Sequence, residues 1–188
     1  MKTVIYSITF HSQWHCGSGE SKGADLDALV IKDRDGLPYI PGKTIKGIVK
    51  DAFMDLVEAG YIAGKGSINR LFGMSPTKGT RGESSLTFFD NANLKNGVRT
   101  QIIQGGLTAH LYDKVTRTAI DETGVAKDMS LRSMEVTVSM QLIGQILNVD
   151  DSDLANVVSA IKMLKRIGGG RTRGLGRCTV EIIETKEG

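Results

Sequence analysis

The run Gly168-Gly169-Gly170-Arg171-Thr172-Arg173-Gly174-Leu175-Gly176-Arg177 joins backbone freedom to positive charge. Glycine lets a main chain take positive φ and approach another backbone closely, and Arg171, Arg173 and Arg177 supply planar forks that match phosphate oxygens. Such a loop suits an anionic polymer or a nucleotide; the plainer alternative is a surface turn with solvated arginines. A second basic group, Lys43, Lys46 and Lys50, falls on one face of a predicted helix. It starts at a helix N-terminus, where free amides attract anions, although a lysine stripe is more often a solvated face. The third group is acidic. Asp25 and Asp27 end a glycine-bearing loop and open the apolar run Leu26 to Ile31, which places them at the rim of the sheet. A carboxylate so placed could take the 2′-hydroxyl proton in RNA cleavage or protonate the leaving oxygen, if the phosphodiester is held in line. It could equally be an edge acid that blocks aggregation or pairs with Lys32, and the residues alone favour that second role.

Other chemistries are excluded by spacing. Gly42-Lys43-Thr44 resembles the end of a nucleotide-binding phosphate loop, but Leu37 stands where that loop needs glycine, and Pro38 and Pro41 remove amides from the cradle. His11, His15, Cys16 and Cys178 include no Cys-x-x-Cys pair, and His11 and His15, though four apart, fall at a strand end and in a loop and not on a predicted helix, so no metal site is expected. No Gly-x-Ser-x-Gly nucleophile elbow occurs. The 188 residues carry 24 lysines and arginines against 21 aspartates and glutamates, a net charge of +3. The acids crowd into Asp25 to Asp35 and Asp150 to Asp153, leaving basic surface elsewhere. Two cysteines and an opening that reads as a strand, without an apolar signal core, lead us to expect a reduced, cytoplasmic protein. No apolar run approaches the roughly 20 residues of a membrane helix, so no membrane partner is expected.

The elements that must position these groups follow from periodicity. Val4, Tyr6, Ile8 and Phe10 alternate as a half-buried strand. Gly36 to Gly42, with two prolines, forces extended and turn geometry before an amphipathic helix over 43–59. Residues 60–83 read as a loop pinned by the apolar island Leu71-Phe72-Gly73, and Leu86 to Phe89 as a strand. The segment at about 90–131, with turn signals at Asn96-Gly97 and Glu122-Thr123-Gly124, is expected to be a protruding insertion, partly a hairpin. Met134, Val136, Val138, Met140 and Leu142 give the clearest alternation. A helix capped by Asp150, Asp151 and Asp153 is predicted to run to Ile167 and stop at Gly168, ahead of a last strand from Cys178 to Ile183. Strand, helix, strand, insertion, strand, helix, strand is the α+β, ferredoxin-like (RRM-like) β-α-β-β-α-β order, here expected as one domain over 1–188.

Three stretches together resemble a known family. Leu37-Pro38-Tyr39-Ile40-Pro41-Gly42-Lys43-Thr44-Ile45-Lys46-Gly47, then Leu71-Phe72-Gly73, then the glycine-arginine run are similar, in this order, to the RAMP superfamily of CRISPR-associated proteins of antiviral defence. The likeness is greatest to the repeated backbone subunit of type III effector complexes. It implies a ferredoxin-like palm with a thumb-like insertion, and copies of the chain or related RAMP subunits in a filament along a guide RNA. Other effector-complex subunits join them, and bound target RNA is cut at regular intervals. In Leu26-Asp27-Ala28-Leu29-Val30-Ile31-Lys32-Asp33, Asp27 matches the aspartate that this family requires for target cleavage, although Ala28 and Leu29 depart from the usual small residue and proline. His15, in Trp14-His15-Cys16-Gly17, matches a histidine near the guide backbone, and Lys43, Lys46, Arg171 and Arg173 match positions that touch phosphates. Lys50, Gly169, Gly170 and Arg177 complete the expected RNA-binding set. No tightly bound cofactor is implied, while a divalent metal such as Mg²⁺ is compatible with target cleavage. Two alternatives remain open: a non-catalytic RNA-binding subunit of such a complex, and a guide-precursor endoribonuclease using His15.

Overall fold

The computed structural model describes residues 1–21, 26–62, 65–74, 82–128 and 130–188. Its central strand is β1 (Lys2–Phe10), whose alternation buries Val4, Tyr6, Ile8 and Phe10. β1 pairs antiparallel with β5 (Gln141–Val149) on one side and with β6 (Cys178–Glu187) on the other. β2 (Phe88–Phe89) adds to the far edge of β5, giving the order β2-β5-β1-β6. Helices α1 (Gly42–Glu58) and α4 (Asp151–Lys162) contact each other and share one core with this sheet, through Ile45, Val49 and Phe53 on α1 and Val157 and Ile161 on α4. This is the expected ferredoxin-like arrangement.

Local chemistry accounts for the helix starts. Pro41 precedes α1 with its φ fixed at −60°, and the first amide, Gly42 N, donates to Asn91 Oδ1 at 2.8 Å. Thr44 N and Ile45 N turn back to Pro41 O, so the free amides expected at this terminus are largely used internally. Asp150 caps α4 by accepting from Ser152 N at 2.9 Å. Asp153 is only 1% exposed, and the Arg70 guanidinium grips both its oxygens at 2.7 and 2.8 Å. Arg70 lies on α2 (Lys65–Phe72), a helix where the sequence suggested a loop. Its apolar island does pin the segment, because Phe72 packs between Phe53 and Phe89, with ring centroids 5.6 Å from each.

Three further expectations are corrected. The alternation over Met134 to Leu142 is two strands. β4 (Arg132–Thr137) pairs with β3 (Tyr112–Arg117) in a separate two-stranded sheet, and the central sheet uses β5 instead. The chain bends at Ser139, with Val138 N on Leu111 O and Met140 O on Phe10 N, and an alternating pattern runs through such a bend without a mark. Asn96-Gly97, expected as a turn, opens α3 (Asn96–Gln104), which Arg99 anchors by pairing with Asp33 and Asp35. α4 ends at Lys162, five residues before Ile167. Residues after it lie along the start of β6, where Cys178 N reaches Lys165 O and Ile167 N reaches Gly176 O. The turn at Glu122-Thr123-Gly124 is present, closed by Asp121 Oδ1 on the amides of Thr123 and Val125.

Gly42 admits no side chain, since a Cβ would overlap Phe89 O where β2 crosses the start of α1. Gly42→Ala is expected to destabilise the protein by about 1–3 kcal/mol through overpacking. A shift of the urea midpoint checks this, and an unchanged midpoint would refute the close crossing.

Candidate nucleic-acid interface

The glycine-arginine loop is seated by its missing side chains. Gly168 takes φ +97°, and a Cβ there would overlap the His15 carbonyl. Gly169 N donates to that carbonyl at 2.8 Å, and Gly176 N donates to Gln13 O at 2.8 Å. The loop therefore lies flat on the segment after β1. Gly170 and Gly174, both at positive φ, bracket a 3-10 turn over Arg171–Arg173 that leaves these arginines exposed. Gly168 was expected to end a helix; its left-handed backbone instead makes this contact.

Around the loop, the expected phosphate-binding residues divide. Burial pushes the Cys16 thiol up, with the Thr44 hydroxyl and the Lys43 charge acting against it. Lys43 and Lys46 line an open cleft of about 540 Å³ between the start of α1, Phe72 and Phe89, and Lys50 lies outside it. Arg171 borders a smaller cleft of about 200 Å³ with Asp51, Asp55 and Arg166, and its carbonyl accepts from Arg166 Nη1 at 2.8 Å. Arg177 is exposed where the chain enters β6. Among the described residues no three His, Cys, Asp or Glu side chains converge as a metal-binding set, and no helix is long and apolar enough to cross a membrane.

His15 is 7% exposed, and its Nδ1 lies 2.7 Å from Glu135 O. A carbonyl only accepts, so Nδ1 carries a proton, while Nε2 lies beside Gly17 and the Cδ2 edge of the ring beside Gly169. Glu135 is the junction of the site. Its amide donates to Ala28 O at 2.9 Å, and its carboxylate accepts from Val30 N at 3.0 Å and from Lys32 Nζ at 2.7 Å. Lys32 also sits 3.8 Å above the Tyr112 ring, and the Tyr112 hydroxyl donates to Gly36 O at 2.6 Å. Burial pushes that hydroxyl well above the ordinary tyrosine range, with the Glu135 and Asp33 charges adding to the effect.

These bonds lay residues 26–32 along β4 of the small sheet, not along the rim of the central one. Asp27 N donates to Ser133 O at 2.8 Å, and Asp27 Oδ2 accepts from Ser133 N at 2.7 Å. Oδ1 faces Arg132 Nη1 at 3.7 Å, and the Asp27 side chain remains 44% exposed. It opens on a cleft of about 690 Å³ that Arg117, Arg132 and Arg173 also line. The structure thus brings Asp27 together with Arg173 of the glycine-arginine loop, and adds two arginines that the sequence left unassigned. Their signal lies in hairpin register, which sets Arg117 opposite Arg132 and was not legible in the weak periodicity of this region. Asp25 falls outside the described residues.

Residues 7–179 match the family model of the RAMP superfamily. The chain belongs to the RAMP superfamily. No curated protein sequence matches it. Among solved structures, this RAMP chain is similar to one in a cryo-EM structure of the type III-B Cmr-β bound to cognate target RNA. The TM-score is 0.71 at 14% identity, over 96% of each chain. A cryo-EM structure of the apo state of the type III-B Cmr-β gives 0.69 at 14% identity, over 97% of each chain. At that identity the likeness shows the fold.

Glu135→Ala would leave Val30 N and Lys32 without their acceptor in this RAMP protein, at a cost of about 1–3 kcal/mol. Hydrogen exchange should show the Val30 amide losing protection together with residues 26–32. Unchanged protection there would mean that Glu135 does not hold the Asp27 segment.

Proposed function

We propose that this RAMP protein is an RNA-binding subunit of a type III CRISPR effector complex and that it cleaves bound target RNA at Asp27. The observation that carries this reading is the shared cleft of Asp27 and Arg173, one carboxylate able to move a proton beside a loop suited to phosphates. Family membership and the likeness to the Cmr-β chain bound to cognate target RNA support it. In such an assembly base pairing between guide and target carries the sequence information, and the protein contacts backbone phosphates. Lys43, Lys46, Arg171, Arg173 and the glycines that let RNA approach the main chain belong to that backbone-binding surface. Copies of this chain or related subunits along the guide would space the cuts regularly, and the hairpin of β3 and β4 would serve as the thumb that splays a nucleotide at each interval.

The chemistry asked of Asp27 is modest. Ser133 N fixes Oδ2, and the exposed carboxylate takes the proton of a 2′-hydroxyl while that oxygen attacks the adjacent phosphorus. The bond to the 5′-oxygen breaks, that oxygen takes a proton from water, and the products are a 2′,3′-cyclic phosphate and a 5′-hydroxyl. The described residues of the cleft do not fit a resident Mg²⁺, which seeks near-octahedral oxygen ligands, because one carboxylate there faces three guanidinium groups.

A second reading has its own observation. The Asp27 carboxylate already bonds Ser133 N, so it could serve only to latch the 26–32 segment onto β4. Precursor processing through His15 is less supported, because that ring is buried with Nδ1 committed to Glu135 O. In a reconstituted complex, Asp27→Ala is expected to reduce target cleavage by about 10²- to 10⁴-fold with guide and target still bound. Regularly spaced cuts at an undiminished rate would leave Asp27 the latch role alone.

A further inference from the structure

The cleft at Asp27 holds more positive charge than the fold uses. Its lining includes one carboxylate, Asp27, and three guanidinium groups, Arg117, Arg132 and Arg173, a surplus of two positive charges among the described residues. Arg117 and Arg132 are directly opposed across the hairpin, and like charges in that position destabilise a strand pair. Among the described residues only Arg132 of the three has a carboxylate within 4 Å, Asp27 itself. Arg117 is half-buried, and its guanidinium lies against the bare backbone of Gly170, where a Cβ would come within 2.9 Å of one nitrogen. An arginine that is partly desolvated, opposed by another and without an acid of its own among the described residues calls for an anion supplied from outside.

We propose that Arg117 and Arg132 of the hairpin, with Arg173 of the glycine-arginine loop, grip the phosphodiester that lies beside Asp27. Planar forks from three separate elements can each engage phosphate oxygens, and the charge that develops on those oxygens during in-line attack strengthens the contacts. Arg117 is then a positioning and charge-stabilising residue of the cleavage site, whereas Arg171, at its own cleft, belongs to another part of the RNA path. The competing occupant is an acidic segment of a neighbouring protein. The lining offers little to anchor a peptide, since its apolar members are Ala28, Ala119 and Met134. This inference rests on the cleavage reading of Asp27 for its catalytic part and is independent of it for binding.

Two measurements separate those parts. In the full chain, the dinucleotide 2′-deoxyuridylyl-3′,5′-uridine, which cannot be cleaved, is titrated while the Nε–Hε resonances of Arg117 and Arg132 are followed. Both are expected to shift saturably, and an aspartate-rich peptide is expected to leave them in place. Resonances that ignore the dinucleotide, or follow the peptide as strongly, overturn the proposal. In the reconstituted complex, Arg117→Ala is expected to slow target cleavage about 10²- to 10³-fold with guide occupancy unchanged, and Arg117→Lys to recover part of the rate. Sulfur in place of a non-bridging oxygen at the scissile phosphate should slow the wild type and have no added effect on Arg117→Ala. A full sulfur effect in that variant would overturn the catalytic part. If the wild-type complex binds RNA and never cuts it while the resonances shift, the phosphate site stands and the cleavage reading falls.

Discussion

The site depends on one close contact, the seating of Gly168 and Gly169 on the carbonyl of His15. No side chain fits at Gly168, and the amide of Gly169 bonds the same oxygen. From there a chain of hydrogen bonds runs outward. His15 Nδ1 donates to Glu135 O, and Glu135 ties Ala28, Val30 and Lys32, which fixes Asp27 against Ser133. Four segments distant in sequence are fastened through two residues, and the result is that Arg173 and Asp27 face one cleft. The ferredoxin-like core supplies the ends of these segments; it does not by itself bring them together.

Electrostatics follows the same division. The fold's own acid-base pairs are satisfied inside the scaffold: Arg70 with Asp153, Arg99 with Asp33 and Asp35, and Lys32 with Glu135. Burial pushes the Asp33 carboxyl up, but Arg99 and the amides of Leu37 and Asp35 outweigh it and hold the group below its ordinary range. These pairs hold α2, α3 and the segment before α1 in place. At the Asp27 cleft, Arg117 and Arg173 have no such partner among the described residues, and Arg132 has only Asp27 at 3.7 Å. Charge satisfied in the scaffold and unsatisfied at one cleft is the pattern expected where an anionic polymer is to bind.

The core topology was legible because each central element obeys one periodicity over its length: the alternation of β1, the buried stripe of α1, the capped start of α4. Asp27, Arg173 and the glycines were legible as residue types. Their meeting was not, because it rests on the β3–β4 hairpin, whose strands carry mixed polar residues and whose second strand runs by alternation straight into β5. Glu135 looked like an ordinary outward residue of a strand, yet its carboxylate is 12% exposed and carries two bonds. Arg132 opens the same strand and gave no signal of its own. α2 and α3 were missed since Gly66 and the Asn96-Gly97 pair read locally as loop, and packing of Phe72 and the Arg99 pairs override that preference.

The central claim, that the loop and Asp27 act on one stretch of RNA, is tested most directly by a structure of the assembled complex with target RNA carrying 2′-methoxy groups at the cleavage positions. The account predicts a phosphate contacted by Arg173 and the neighbouring 2′-oxygen close to the Asp27 carboxylate, near hydrogen-bonding reach of roughly 2.6–3.2 Å. Target RNA passing on the far side of the hairpin, with the Asp27 carboxylate bonded only to Ser133 and Arg132, would contradict it.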